Sequence, residues 1–273
     1  MNRSAVSIQQ ARDIRWRNEK AYFNALEYTS DPLNQATVLR YMECRRPYLS
    51  AEHPFWLLGD VKDKTILDVG CGDGTRSVLL ALKGAQVTGI DLSASAVEAA
   101  TTRARVHGVA DRVRFLAAPL EEFHPKQKFD VIVGWNILHH LIPELPTLLQ
   151  ELRRLGNADS QYLFYEPVNL SPILRRLRLA LPIPISGTPD ERPLEPAELK
   201  LLSEAFEQTE FTYFGFAVRL FSRFVLQNGP YETSGVIRRR VHEWLGLADN
   251  LLIQRLGLNC LASTATLLCR AGR

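Results

Sequence analysis

The stretch ILDVGCGDGTRS (66–77), followed by VTGIDLSASAVEAA (87–100), decides the fold of this chain. Each stretch begins with a short run of apolar and β-branched residues, which predicts a buried β-strand. Each run reaches an acidic residue near its end, Asp68 or Asp91, and a helical pattern follows. A strand, a helix and another strand in this order predict parallel strands joined by a crossover helix.

The same alternation continues along the chain and predicts the other strands and helices. Five strands are predicted at 65–70, 86–90, 113–117, 129–134 and 161–166, with helices between them at 77–83, 94–107 and 144–155. Beyond them we predict a Pro-rich connection at 171–196, a helix at 196–206, strands at 209–218 and 262–270, and a helical insertion at 219–258. Residues 5–50 also have the spacing of helices.

This order of elements predicts an α/β fold. We expect a Rossmann-like, doubly wound, seven-stranded and mostly parallel sheet with helices on both faces. A helical N-terminal cap over 1–55 should precede a main domain over 56–273, in which insertions at about 170–196 and 219–258 form a lid.

Composition and charge narrow the classes of function. The 273 residues carry a formal net charge of +3, which is too mild for a surface that follows nucleic-acid phosphates. The four cysteines are scattered and include no Cys-x-x-Cys pair, which argues against a zinc or redox motif. The first twenty residues contain no apolar core segment, so we expect no secretory signal and a cytoplasmic protein.

Three glycines at alternate positions, Gly70, Gly72 and Gly74, follow the first predicted strand. Glycine adopts turn conformations closed to other residues and lets a ligand approach the backbone closely. Asp91 ends the second strand, seventeen residues past Gly74. In a doubly wound sheet a carboxylate there can accept two hydrogen bonds from a ribose diol.

Two classes of cofactor suit such a turn, a dinucleotide and S-adenosylmethionine. The dinucleotide motif Gly-x-Gly-x-x-Gly needs glycine where this chain has Thr75. A pyrophosphate also binds best at a helix N-terminus free of negative charge, and Asp73 lies beside that turn. A net positive sulfonium tolerates Asp68 and Asp73 better, so the residues favour S-adenosylmethionine. A dinucleotide-dependent oxidoreductase stays as the alternative.

Three motifs carry a resemblance to a known family: LDVGCGDG (67–74), GIDLS (89–93) and FDVIVGWNILHHL (129–141). Over about residues 55–170 the chain resembles the class I S-adenosylmethionine-dependent methyltransferases, in particular the small-molecule group that includes ubiquinone and menaquinone biosynthesis enzymes. The resemblance implies methyl transfer to a small molecule, with S-adenosylhomocysteine as the product. A protein that keeps the fold and the cofactor without catalysis is a further alternative.

The resemblance also implies which residues border the cofactor. The predicted cofactor-binding residues are Asp68, Gly70, Cys71, Gly72, Asp91, Leu92, Ala118, Pro119, Leu120, Gly134 and Trp135. Many relatives have an aspartate at the position of Pro119, which accepts a hydrogen bond from the adenine amino group. In this chain Glu121 or Glu122 is the candidate substitute. Asn136 should line the pocket beside Trp135.

Methyl transfer from a sulfonium is an in-line displacement, so the protein mainly positions and desolvates the acceptor. A hydroxyl or acidic carbon acceptor also benefits from a base with a pKa near neutrality. His139 and His140 follow the fourth strand, and in some O-methyltransferases of similar pattern a histidine in such a segment acts as base. We predict His140 ahead of His139. Glu166, at the end of the fifth strand, is a base or orients a histidine or the substrate.

The same region argues against two subclasses. Enzymes that methylate DNA amino groups carry a Pro-Pro pair and an aromatic residue where this chain reads GWNI (134–137). Metal-dependent catechol enzymes need carboxylates after both the fourth and fifth strands, and residues 134–136 provide none. We therefore expect no metal and no nucleic-acid partner.

The acceptor should be recognised outside the shared core, by the N-terminal helices and the insertions. Their apolar and aromatic residues suit a hydrophobic or amphipathic small molecule. The residues are Ile173, Leu174, Leu177, Leu179, Ile183, Ile185, Phe216, Phe221, Phe224 and Tyr231. Tyr22, Tyr28 and Arg45–Arg46 are candidates to close over the cofactor carboxylate. We expect residues 237–256 to form a helix that covers the sheet, with membrane-surface docking as the less favoured alternative.

Overall fold

A single seven-stranded sheet forms the centre of the molecule in the computed structural model, which describes residues 3–173, 175–176, 191–224, 231–232 and 234–271. The strands are β1 (Thr65–Val69), β2 (Gln86–Asp91), β3 (Val113–Ala117), β4 (Phe129–Trp135), β5 (Gly156–Pro167), β6 (Gln208–Phe214) and β7 (Thr264–Arg270). Their order in the sheet is β3-β2-β1-β4-β5-β7-β6.

The first five strands are parallel, and β7 inserts antiparallel between β5 and β6. The predicted doubly wound, mostly parallel sheet is therefore confirmed. The strand order changes direction at β1, where β2 lies on one side and β4 on the other. In such a sheet a ligand binds beyond the carboxyl ends of the strands at this point.

Helices pack around the sheet. They are α1 (Arg3–Asn24), α2 (Gln35–Glu43), α3 (His53–Leu58), α4 (Thr75–Leu82), α5 (Ala94–Val106), α6 (Leu145–Leu155), α7 (Pro196–Ala205), α8 (Ala217–Phe224) and α9 (Val236–Asn250). Ser93 is the N-cap of α5, since its hydroxyl accepts from the Ala96 N–H at 3.1 Å. A π-helical turn, Leu251–Arg255, extends α9.

The core consists of two apolar clusters, one on each face of the sheet. Because neighbouring strand residues point to opposite faces, Ile66 joins the cluster beneath α3 and α4, and Leu67 joins the one beneath α6 and α7. Both side chains are fully buried. Because β1 is buried on both faces, packing on both sides of the sheet holds the start of the glycine turn that follows it.

Several predicted boundaries were wrong. The strand predicted over 161–166 begins at Gly156. Residues 5–50 form two helices separated by 25–34, and Asn34 starts α2 as its N-cap. The strand predicted over 209–218 ends at Phe214, because Gly215 has a positive φ of 87° and turns the chain into α8. Within the described residues, no helix combines the length and the apolar composition that crossing a membrane requires.

Candidate active site

The glycine turn after β1 forms the floor of the candidate site. Gly70 has a φ of 69°, and a Cβ there would lie 2.6 Å from the Cδ1 atom of Ile137. A larger residue at this position would therefore displace the loop that follows β4. Gly72 also has a positive φ, and a Cβ there would enter open space. The turn thus brings bare backbone to the edge of a cavity.

Asp91 fixes this turn from the end of β2. Its carboxylate accepts from the Gly72 N–H at 2.8 Å and from the Ser93 N–H at 2.9 Å. Burial raises the pKa of Asp91, although these backbone hydrogen bonds lower it. A carboxylate offers about four lone-pair positions, so two remain for a ligand.

A cavity of about 310 Å³ opens above the turn. Its walls come from the ends of β1, β2, β3 and β4 and from the N-terminal helix. The predicted cofactor residues that line it are Gly70, Cys71, Gly72, Asp91, Leu92, Ala118, Pro119, Leu120 and Trp135, and Asn136 and His140 line it as well. The size lies at the lower end of the range for small-molecule sites.

Asp68 and Gly134 do not border this cavity, and their predicted direct contact with the cofactor is not supported by the geometry. Gly134 is required for packing, since a Cβ there would lie 2.6 Å from Ile137 and 3.0 Å from Phe164. Asp68 is fully buried, accepts from the Ser77 hydroxyl at 2.5 Å and has one oxygen, Oδ1, without a hydrogen-bond partner. Burial raises its pKa to about 7.

The N-terminal helix α1 covers the cavity. Trp16, Glu19 and Phe23 line it, and Leu26 and Tyr28 follow from the segment after the helix. Of the side chains predicted to close over the cofactor, only Tyr28 lines the cavity. Tyr22 is not among the lining residues, and Arg45 and Arg46 pair instead with Glu43 and with Glu52 and Glu243.

His140 enters the cavity from the loop after β4, beside Phe23 of α1. Its Nδ1 atom lies 3.0 Å from Oε1 of Glu191. Burial lowers the pKa of His140, but the hydrogen bond and charge of Glu191, with the charges of Glu19 and Glu166, raise it above its usual value. Burial also raises the pKa of Glu19 to about 6. His140 is therefore a cavity-facing imidazole with a carboxylate beside its Nδ1 atom.

His139 and Glu166 lie behind His140, outside the cavity lining. Glu166 is fully buried and accepts from the backbone N–H groups of Ile137 and Leu138 at 2.8 and 2.9 Å. Its other oxygen lies 2.8 Å from Nδ1 of His139. The direct catalytic role predicted for both residues does not fit this placement. Of the two roles predicted for Glu166, the structure favours the one that orients the histidine loop.

The sequence interpretation missed three residues at the site. Arg76 lines the cavity, and its guanidinium lies 5.6 Å from the centroid of the Trp135 ring. Arg76 could have been predicted from the sequence, because it lies two residues after the last glycine of the turn. Glu19 and Glu191 are separated from the motifs by more than forty residues, so no local pattern indicates them.

Two further expectations concern the acceptor for the adenine amino group and the negative charge of Asp73 beside the glycine turn. Glu121 lines the cavity beside Pro119 and is half-buried, whereas Glu122 is exposed, so Glu121 is the acceptor candidate of the two. Asp73 forms an ion pair with Arg103 at 2.8 Å. The negative charge expected beside the helix N-terminus is therefore partly offset.

Several predicted lid residues, Leu174, Leu177, Leu179, Ile183 and Ile185, and the Phe224 side chain lie outside the described residues. Ile173 is exposed, and Phe216 packs against the core beneath α6. Tyr231 lies between two guanidinium groups, 4.4 Å from Arg40 and 5.3 Å from Arg46. None of these three side chains lines the cavity.

His139, His140 and Glu191 also form the one group in the described part of the chain with the composition of a metal site. One ligand atom from each lies within 4.8 Å of the others. Residues 134–136 contain no carboxylate. In this group the carboxylate is that of Glu191, which is distant in the sequence. Each histidine already has a carboxylate partner, Glu166 for His139 and Glu191 for His140.

Comparison with known sequences gives the same class as the geometry. Residues 60–186 match the family model of a methyltransferase domain. The ubiquinone biosynthesis O-methyltransferase of Bordetella parapertussis is 33% identical over 118 residues, 42% of this chain and 46% of that protein. Its counterpart from Psychrobacter arcticus is 33% identical over 129 residues, 46% of this chain and 49% of that protein. The chain spans about half the length of the curated relatives it matches.

Solved structures share the fold over almost the whole chain. Mycolic acid cyclopropane synthase CmaA1, solved with S-adenosylhomocysteine (SAH), has a TM-score of 0.58 and 18% identity, covering 93% of this chain and 98% of that one. Geranyl diphosphate C-methyltransferase from Streptomyces coelicolor A3(2) has a TM-score of 0.55 and 14% identity, covering 95% and 98%. At these identities the likeness concerns the fold.

The sheet order, the glycine turn and Asp91 define the Rossmann-like class I methyltransferase fold. Residues 60–186 match a methyltransferase-domain family, and the chain is similar there to class I S-adenosylmethionine-dependent methyltransferases. The matched relatives are methyltransferases, so the comparisons give no support to the oxidoreductase alternative.

Proposed function

We propose that the protein transfers a methyl group from S-adenosylmethionine to a hydroxyl, or an activated carbon, of a small apolar or amphipathic molecule. The observation that carries the proposal is the single cavity in which the glycine turn, Asp91 and His140 meet. The names of the matched relatives, ubiquinone biosynthesis O-methyltransferases, support a hydroxyl as the acceptor.

The residues present fit the cofactor. Asp91 has lone pairs left for a ribose diol, and Gly72 leaves open space where a side chain would stand. Asp68 lies under the turn, outside the cavity, where it accepts from the Ser77 hydroxyl of α4. Arg76 suits the carboxylate of the methionine part.

When bound, S-adenosylmethionine supplies an electrophilic methyl group, and this chain supplies position and a base. Trp135 and Phe23 wall the cavity and exclude water from it. Neutral His140 accepts the acceptor's proton at Nε2, because Glu191 holds Nδ1. Glu166 fixes the backbone of Ile137 and Leu138 and so positions His140.

The remaining features of the site follow from the same proposal. We propose that α1 acts as the cap of the acceptor site within the N-terminal region 1–55, and that the reaction uses no metal. The four cysteines are free in the structure, which supports a reducing, cytoplasmic location.

The test is a methyl-transfer assay on a panel of apolar phenols and hydroxylated amphiphiles, followed by the formation of S-adenosylhomocysteine. We expect turnover with at least one acceptor, and His140→Ala should lower kcat by about 10²- to 10⁴-fold. Glu151→Gln is the control and should keep the wild-type rate, because Glu151 lies on α6 outside the cavity lining, where it pairs with Arg154. A full rate in His140→Ala would overturn the assignment of the base. Cofactor binding without turnover on any acceptor would favour the catalytically silent alternative.

A further inference from the structure

Helix α9 has its apolar face turned away from the protein. Ile237 is 80% exposed, Trp244 is 71% exposed and Leu251 is 55% exposed. With Val241 they follow each other at helical spacing, so they form one continuous stripe on the outer face. We call these four residues the α9 stripe. Surface helices of globular proteins normally turn such a stripe inward.

The inner face of α9 is already packed. Gly246 and Asp249 are buried, and a Cβ on Gly246 would lie 2.5 Å from the Cδ2 atom of Leu49. Asp249 accepts from the backbone N–H groups of Ala217 and Val218 at 2.8 and 2.9 Å, which fixes α9 against the start of α8. The α9 stripe is therefore a second apolar face and not a displaced core.

The charged residues of α9 also differ between its inner and outer faces. Both of its acidic residues point inward, Glu243 to Arg46 at 3.0 Å and Asp249 to the α8 backbone. The exposed charged residues on this helix and its π-helical turn are all arginines, Arg238, Arg240 and Arg255, of which Arg240 is paired with Glu243 at 3.3 Å. An apolar stripe with Trp and flanking arginines is the composition of a helix that lies in the interface of a bilayer.

We propose that the α9 stripe docks on the surface of an anionic phospholipid bilayer. The apolar side chains enter the boundary between headgroups and acyl chains, and the arginines contact the lipid phosphates. Charge favours lipid over a second copy of the chain. In a two-fold interface the same patch meets itself, so the arginines of both copies would face each other. An anionic surface neutralises them instead.

The test is co-sedimentation of the full chain with vesicles of phosphatidylcholine, alone or mixed with phosphatidylglycerol. We expect binding to the anionic vesicles that weakens at high salt. The double variant Trp244→Glu and Leu251→Glu should lower the partition at least about tenfold. Arg238→Gln and Arg255→Gln should each lower it about fivefold.

The matched control is Val106→Glu with Leu201→Glu, which places two acids on exposed apolar positions of other helices and should bind like wild type. Titration with S-adenosylhomocysteine checks each variant, since the stripe lies outside the cavity and cofactor binding should not change. No binding to anionic vesicles, or equal binding of the double stripe variant, would overturn the proposal. So would a dimer in light scattering that the stripe substitutions dissociate. A failure of cofactor binding in wild type would count only against the proposed function.

Discussion

Asp68 is a buried carboxyl group beneath the glycine turn, and its burial has a cost to the stability of the fold. Its side chain is 1% exposed, and burial raises its pKa from 3.8 to about 7. The folded state therefore binds a proton that the unfolded state releases between these values. By linkage this contribution to the free energy of unfolding falls as pH rises from about 4 to about 7.

Asp68→Asn tests this balance. We expect the substitution to raise Tm by at least roughly 2 °C at pH 8, because a buried charge is removed. The gain in Tm should shrink at low pH, where Asp68 is already protonated. Scanning calorimetry at both pH values measures it, and a lower Tm at pH 8 would contradict the account.

If His140 is the base, as we propose, Glu191 should set the pH range in which it is active. The carboxylate raises the pKa of His140, and a base is active only when it is deprotonated. Glu191→Gln should therefore move the acid limb of the kcat profile to lower pH. It should also lower kcat by less than His140→Ala does, because the base is still present. A limb that stays in place would show that Glu191 does not act on His140. Glu151→Gln again serves as the control.

At the scale of elements, the sequence predicted the sheet closely, and it predicted a helical N-terminal cap but not which of its side chains line the site. β1 and β3 were predicted within a residue, because short β-branched runs bounded by turns define buried strands locally. Gly215 was missed because a glycine inside an apolar run gives no sign of its φ. The approach of α1 to the cavity depends on contacts between distant segments, so no local pattern shows it.

Asp249 connects two elements of the C-terminal insertion. It satisfies the first free N–H groups of α8 from the end of α9, an interaction with a charged acceptor that is worth about 1.5–3 kcal/mol per bond. Asp249→Ala removes both bonds and should lower the free energy of unfolding by about 3 kcal/mol or more in urea denaturation. The exposed Asp111→Ala is the matched control and should change it by less than about 0.5 kcal/mol. Equal effects of the two substitutions would contradict the capping role.

At the scale of the whole molecule, the sequence predicted the cavity residues near the glycine turn, where we propose that the cofactor binds. It did not predict the residues around His140, where we propose that the acceptor binds. Asp91, Leu92 and Ala118–Leu120 lie on a fixed sheet edge at fixed offsets from the motifs, so they could be placed in advance. Glu191 reaches His140 across a Pro-rich connection, and its position depends on the path of the chain. The family resemblance covers about residues 55–170, so it gives no information on the position of Glu191.

The group of His139, His140 and Glu191 makes metal independence a prediction that needs its own test. Both histidines have carboxylate partners, so we expect removal of divalent cations with EDTA to leave methyl transfer and S-adenosylhomocysteine binding unchanged. Loss of activity on EDTA treatment, restored by a divalent cation, would show that the three residues hold a metal. Elemental analysis of the purified protein provides a second measurement.

The central claim is that Asp91 and the glycine turn bind the cofactor, and calorimetric titration tests it directly. Wild type should bind S-adenosylhomocysteine and not NADH, and Asp91→Asn and Asp91→Ala should bind at least about tenfold more weakly. Thermal unfolding confirms that both variants are folded, since Asp91 also holds Gly72 and Ser93. Asp111→Ala should bind as wild type does. No binding by wild type, or binding of folded variants that does not depend on Asp91, would contradict the account.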